Sequence, residues 1–259
     1  MLLSNKVVIV TGSTTGIGEA IARRCVVEGA KVVIHGRNAD RGQELVKELG
    51  DVAVLHTDYL ADPTAGQRLV NVAIKRFGQL DGVVNNAAYI VRSNLETTDA
   101  DLFDRVMTIN ARAPLLLVQA AIPYLKRQEG SVVNIGSINA YTGEARQLAY
   151  SMSKAALMTM SRNLANVYAQ DKVRFTHFNV GWVLTPNEYK LKMSEGLPKG
   201  WPDQQSKEDV PTGKMTQPDD IAAHAIFWLS DQSRPISGSV LELEQYPIIG
   251  RIPLKEGND

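Results

Sequence analysis

Cysteine is nearly absent: the 259-residue chain holds one, Cys25. That excludes an internal disulfide and a cysteine-built metal site, and it fits a reducing compartment. Cys25 itself reads as a small apolar core residue, and no metal is expected. An excess of either charge is missing too, since 28 Lys and Arg face 28 Asp and Glu. Without a net field there is no general electrostatic hold on a nucleic-acid backbone or an anionic membrane, so neither partner is expected. No apolar run nears the roughly 18 residues of a bilayer span, and the stretch 7–10 is too short for a signal segment. The cytoplasm is the expected location.

What the chain does have is alternation. Segment 6–11 is β-branched and almost wholly apolar, which suits a parallel strand covered on both faces. It runs into Thr11-Gly12-Ser13-Thr14-Thr15-Gly16-Ile17-Gly18. Apolar positions then recur at helical spacing over 17–28, and Gly29 closes the segment. Further strands are expected at 31–35, 52–57, 82–85, 131–136, 173–180 and 239–243. Helices are expected at 39–49, 64–77, 151–170 and 219–229, and over 99–126 with a break near Pro114. Strand and helix alternate with short joins, so the expected fold is α/β: one domain, 1–259, built on a doubly wound parallel sheet of about seven strands with helices on both faces. The irregular segment 182–217 follows a strand's carboxyl end and reads as a substrate lid over the ligand crevice, and 246–259 reads as a tail.

Gly12, Gly16 and Gly18 lie where a strand turns into a helix, so backbone can approach a pyrophosphate and the helix N-terminus can face its charge. The spacing is neither the standard dinucleotide fingerprint nor a triphosphate loop. The second strand ends His35-Gly36-Arg37-Asn38, without the acid that would accept from the ribose 2′-hydroxyl of NAD. Arg37 offers a planar, always charged fork for a 2′-phosphate, which favours NADP(H) over NAD(H).

Tyr150 and Lys154 are four residues apart in an expected helix, on one face. A free phenol titrates near about 10, and a neighbouring cation favours its ionised form, so the pair reads as an acid/base device.

The motifs Thr-Gly-x-x-x-Gly-Ile-Gly at 11–18, Asn85-Asn86-Ala87, Asn110, Ser137 and Tyr150-x-x-x-Lys154, in this order, resemble the short-chain dehydrogenase/reductase family over about 6–243. The resemblance implies a Rossmann-like fold and a catalytic tetrad. Ser137 would orient the substrate oxygen, and Tyr150 would give or take its proton. Lys154 would hold the nicotinamide ribose and depress the Tyr150 pKa, and Asn110 would hold a water joining Lys154 to solvent. It also implies Ser13, Thr14 and Ile17 near the phosphates with Gly12, Gly16 and Gly18, and Asp58 and Tyr59 at the adenine. Arg37 and Asn38 would lie at the adenosine ribose, Asn86 and Ala87 along it, and Gly181, Val183 and Thr185 toward the nicotinamide.

Three departures from the family pattern bear on the pocket: Ala88 stands for a glycine that would tolerate positive φ, Val180 for a proline, and no glycine pair follows the last strand. Asn139, Tyr141, Glu144, Arg146 and Gln147, between Ser137 and Tyr150, are expected to border the reacting carbon in part and to suit a sugar, sugar acid or polyol. His177 and His224 are expected to be structural. The implied activity is NADP(H)-dependent interconversion of a secondary alcohol and a ketone. The competing readings are a 3-oxoacyl or other carbonyl reductase, an epimerase or dehydratase, and a non-catalytic NADP(H)-binding redox sensor. Family members commonly pair through the two long helices flanking the fifth strand, and a homotetramer, or else a homodimer, is expected.

Overall fold

The computed structural model describes residues 1–250. Seven strands, β1 (Val7–Val10), β2 (Lys31–Gly36), β3 (Ala53–Thr57), β4 (Gly82–Asn85), β5 (Ser131–Ile135), β6 (Arg174–Val180) and β7 (Val240–Leu243), form one parallel sheet in the order β3-β2-β1-β4-β5-β6-β7. Its helices are α1 (Gly16–Val27), α2 (Ala39–Leu49), α3 (Ala65–Phe77), α4 (Ala100–Met107), α5 (Ala113–Gln128), α6 (Leu148–Val167), α7 (Pro186–Ser194) and α8 (Pro218–Leu229). Period-two alternation sends Val8 and Val10 into a core with Ile21, Cys25 and Ile226, and Val7 and Ile9 into a second core with Leu69, Leu117 and Phe175. Both faces of the sheet are therefore covered, as a parallel sheet demands. The order reverses between β1 and β4, and that switch point opens a crevice at the strands' carboxyl ends.

Three elements differ from the sequence-based expectation. The break before α5 is a π turn at Thr108–Arg112 inside one continuous helical stretch, and Pro114, which has no N–H to give to a carbonyl of the preceding turn, sits just after it. Helix α6 begins at Leu148, whose N–H donates to Ser93 O at 2.9 Å, so Tyr150 already lies inside the helix. Segment 182–217 is partly regular: Thr185 caps α7 by accepting from Glu188 N at 3.0 Å, Pro186 opens the helix, and a 3-10 turn follows at Trp201–Gln204.

The helical stretch Ala100–Gln128 is long and apolar enough, at mean hydropathy 1.2, to cross a bilayer by length and composition alone. Half of its most apolar window is buried, with Leu117, Val118, Ala121 and Leu125 in the core. Of the tail, residues 246–250 are described, and the remainder, 251–259, lies outside the described residues.

Candidate active site

The carboxyl ends of β1, β4, β5 and β6 open on a cavity of about 700 Å³. Its floor on one side is the glycine turn. Gly12 (φ +64°) and Gly16 (φ +59°) take left-handed conformations that L side chains resist. Thr14, Gly16 and Ile17 line the cavity. Ser13 and Gly18 do not: the Ser13 hydroxyl donates to Val10 O (2.7 Å) and accepts from His35 N (3.0 Å). A Cβ on Gly18 would stand 2.4 Å from Asn86 Nδ2 and 2.5 Å from Gly12 O, so Gly18 shapes the turn from behind.

His35 supports the same turn. Its Nδ1 accepts from Gly12 N at 3.2 Å, which assigns the proton to Nε2. Burial pushes its pKa down to about 4, so the ring is neutral. His35 Nε2 and Thr15 Oγ1 are buried without a hydrogen-bond partner among the described residues, and both residues line the cavity. Two orphaned polar groups beside a glycine turn fit a bound phosphate-bearing nucleotide, which would relieve them. His35 carries no recognisable sequence signal, because its role comes from its neighbours in space.

At the end of β2 an added Cβ on Gly36 would meet Thr14 Oγ1 at 2.6 Å, so no acid fits there. Arg37 is exposed on the cavity rim and makes no ion pair among the described residues. Asn38 is off the wall and caps α2 by accepting from Arg41 N at 3.0 Å. Asp58 and Tyr59 line the next stretch. The Asp58 carboxylate accepts from Arg68 Nε (2.7 Å) and Nη2 (2.8 Å) and from Tyr59 N (2.7 Å), and it lies 3.1 Å from His56 Nε2. Arg68 holds its pKa down to about 2, and its four acceptor positions are occupied. Asn86 Nδ2 donates to Thr11 O (2.9 Å) and Gly12 O (3.1 Å), and Ala87 N donates to Thr11 Oγ1 (3.1 Å), which ties the end of β4 to the turn. Ala88 has no positive φ, so the departure from glycine carries no strain.

Across the cavity, Ser137 follows β5 by two residues and Tyr150 and Lys154 project from α6; all three line the cavity and are buried. Lys154 Nζ donates to Ile135 O at 2.8 Å and stands 5.6 Å from the centre of the Tyr150 ring. Ser137 Oγ accepts from Asn139 N at 3.2 Å, leaving its proton for the phenol. Burial pushes the Tyr150 pKa up to about 12, against the pull of the Ser137 hydrogen bond and with the added push of the Glu188 charge. Burial also brings the Lys154 ammonium down to about 8. Desolvation therefore sets the phenol's value, and the expected depression by the lysine is not among its causes.

Asn110 lies in the π turn and is not on the cavity wall. It accepts from Tyr89 N (2.7 Å) and donates to Tyr89 O and Ser153 Oγ (both 3.0 Å), pinning the loop after β4 to α6. Behind the pair runs a buried polar chain. Asn85 donates to Asn134 (2.7 Å) and Asn134 to Ser161 (2.7 Å); Ser161 lies 3.3 Å from His177 Nδ1, whose Nε2 is 3.0 Å from Asn179. His177 is thus a neutral packing residue, with burial first among the causes that lower its pKa to about 3, while His224 is exposed on α8.

Segment 182–217 supplies the remaining wall. Gly181, Val183 and Thr185 line it, and the Thr185 methyl stands 3.3 Å from where a Cβ on Gly16 would be. The turn at Gly181 lacks the proline and the end of β7 lacks the glycine pair, yet Glu244, just past β7, holds the turn: its carboxylate accepts from Trp182 N at 2.8 Å and fills the space beside Gly181. Asn139, Tyr141, Glu144, Arg146 and Gln147 do not line the cavity. Asn139 instead donates to Gln147 (3.1 Å), Glu144 lies 3.9 Å from Arg92, and Arg146 O accepts from Ser93 N. From the segment after β6, Trp182, Asn187 and Glu188 line the cavity, and Tyr89 and Arg105 line it from the elements after β4.

Residues 12–244 match the family profile described as Enoyl-(Acyl carrier protein) reductase. The chain is 34% identical over 229 residues to the L-fucose dehydrogenase of Mus musculus, covering 88% of this chain and 83% of the relative. It is 31% identical over 251 residues to the L-rhamnose 1-dehydrogenase (NAD(P)(+)) of Azotobacter vinelandii, covering 93% and 96%. It is 32% identical over 243 residues to the NADP-dependent (R)-specific alcohol dehydrogenase of Lentilactobacillus kefiri, covering 92% and 94%. Likeness of this extent, on a sheet that delivers the glycine turn and the tyrosine–lysine pair to one cavity, means that the chain belongs to the short-chain dehydrogenase/reductase family, as an NAD(P)-dependent oxidoreductase acting on CH–OH groups.

Proposed function

We propose that the protein uses NADP(H) to interconvert a secondary alcohol and a ketone on a sugar, sugar acid or polyol. The observation that carries the reading is the buried Tyr150–Lys154 pair facing the glycine turn across one cavity. The nicotinamide, when bound, supplies or accepts the hydride. The protein's share is position and charge. Ser137 holds the substrate oxygen and Tyr150 gives it a proton in the reductive direction, which suits a phenol that burial keeps protonated. Lys154 anchors the ribose side of the nucleotide, Asn110 orders the loop beneath it, and segment 182–217 acts as the lid. Arg37, exposed and unpaired among the described residues, meets a 2′-phosphate, and the clash that bars a side chain at Gly36 disfavours the ribose acid of an NAD site. The sugar reading is supported by the names of the relatives and by the hydrogen-bonding side chains of Asn187 and Glu188 on the wall.

The test is turnover of sugars and polyols followed by nucleotide absorbance. Tyr150→Phe is expected to lose about 10²- to 10⁴-fold in kcat while NADPH still binds by fluorescence titration. Turnover retained in the Phe variant would remove Tyr150 from the proton transfer, and a nucleotide complex inert toward every alcohol and ketone would favour the redox sensor. Arg37→Ser is expected to lower kcat/KM for NADP about 10- to 100-fold and leave NAD unchanged, as loss of a charge-assisted contact predicts.

A further inference from the structure

Glu188 is the acidic side chain on the substrate side of the cavity, and it is held in place. Its backbone N–H is tied to the Thr185 cap, and the Trp182 indole N–H donates to its Oε1 at 2.8 Å. Trp182 in turn stacks on Trp201, with ring centres 5.5 Å apart and planes 18° apart, and Trp201 on Tyr189 at 6.0 Å. Trp201 is buried with Val210 and Met215, so the carboxylate is borne on a small packed cluster rather than a loose loop. No Lys, Arg or His forms an ion pair with Glu188 among the described residues; Lys192, one turn on, is engaged by Glu195 at 2.8 Å. Glu188 and Tyr150 line the same cavity, close enough that the carboxylate charge acts on the phenol.

Resting on the reading of the site given above, we propose that Glu188 is the specificity residue that selects an uncharged polyhydroxylated substrate. It does so by accepting a hydrogen bond from a substrate hydroxyl near the reacting carbon. An ionised carboxylate is acceptor only, so it rewards O–H donors. A sugar acid with its own carboxylate nearby meets a like charge. A 3-oxoacyl chain brings no donor and leaves Glu188 desolvated with the Trp182 indole as its side-chain donor and nothing from the substrate. The substrate class therefore narrows from sugars, sugar acids and polyols to neutral sugars and polyols.

The experiment compares wild type, Glu188→Gln and Trp182→Phe on neutral aldoses and polyols, the matching uronates, and a simple aliphatic 3-oxoester. Wild type is expected to favour the neutral sugars over the uronates. Glu188→Gln is expected to lose about tenfold or more in kcat/KM for the neutral sugar, chiefly through KM, and to narrow the gap to the uronate. Trp182→Phe keeps the stack but frees the carboxylate, and is expected to show a smaller KM rise in the same direction. If wild type turns over sugars while Glu188→Gln and Trp182→Phe keep its KM and its preference, the role of Glu188 is overturned and the functional reading stands. If wild type turns over the oxoester and no sugar or polyol, the substrate reading itself fails, and the role of Glu188 with it.

Discussion

Burial decides the protonation of the side chains at the heart of this molecule, and the same burial writes a pH dependence into its stability. His35 and His177 are neutral in the fold, with pKa values pushed down to about 4 and about 3, whereas an unfolded histidine titrates near about 6.5. Below 6.5 the unfolded chain binds protons that the fold refuses, so stability falls with pH from about 6.5 until each folded value is reached. Each histidine contributes a slope of about 1.4 kcal/mol per pH unit in that window. Asp58, held at about 2, adds its own loss only at lower pH, because an unfolded aspartate stays ionised above about 4. Urea midpoints measured at steps from pH 7.5 to 4.5 are expected to fall steadily below 6.5, and His177→Gln is expected to reduce that slope by about half. An unchanged slope would mean that His177 is charged in the fold. Lys154 serves two tasks at this scale: Lys154→Ala is expected to weaken NADPH binding and turnover together, and loss of only one of them would separate the roles.

At the scale of elements, segment 182–217 is both the least regular part of the cavity wall and the part that carries its own aromatic cluster. Trp201 is buried against Trp182 and Tyr189, and truncating a buried tryptophan typically costs about 3–5 kcal/mol. That loss falls on segment 182–217, not on the sheet, so Trp201→Ala is expected to raise the substrate KM several-fold while NADPH affinity changes little. A parallel loss of nucleotide affinity would show that this segment and the glycine turn are one unit. Arg92, in the loop after β4, adds a lighter tie to this segment, donating to Glu195 at 3.0 Å. The sheet was legible in the sequence because each strand is a short apolar run closed by a turn, and the glycine turn and the tyrosine–lysine spacing were legible as local patterns. Helix α7 also had a readable signal, Thr185-Pro186 with Glu188 at the third helical position, which the Pro- and Lys-rich composition masked. The π turn around Asn110 had none, and the polar residues between Ser137 and Tyr150 misled because their partners, Arg92, Ser93 and one another, are set by tertiary packing.

The whole molecule leaves apolar surface that its own two cores do not use. Half of the most apolar window of Ala100–Gln128 stays outside the core, with Leu115 45% exposed on α5, and Met152 and Val167 are 48% and 56% exposed on α6. Adjacent long helices with such residues outward present a face that water disfavours, and the occupant we propose is a second copy of the same chain, packing helix pair on helix pair. Repeating the contact with a second, different face would close a homotetramer with dihedral symmetry. Light scattering at micromolar concentration is expected to give about four times the 28.4 kDa chain mass. The double variant Leu115→Lys, Met152→Lys would place like charges at that face and is expected to yield a smaller species that still binds NADPH, since neither residue lines the cavity. A wild-type mass of one chain would leave that apolar face without an occupant and overturn the assembly, while a tetramer that survives both lysines would move the contact to other surfaces.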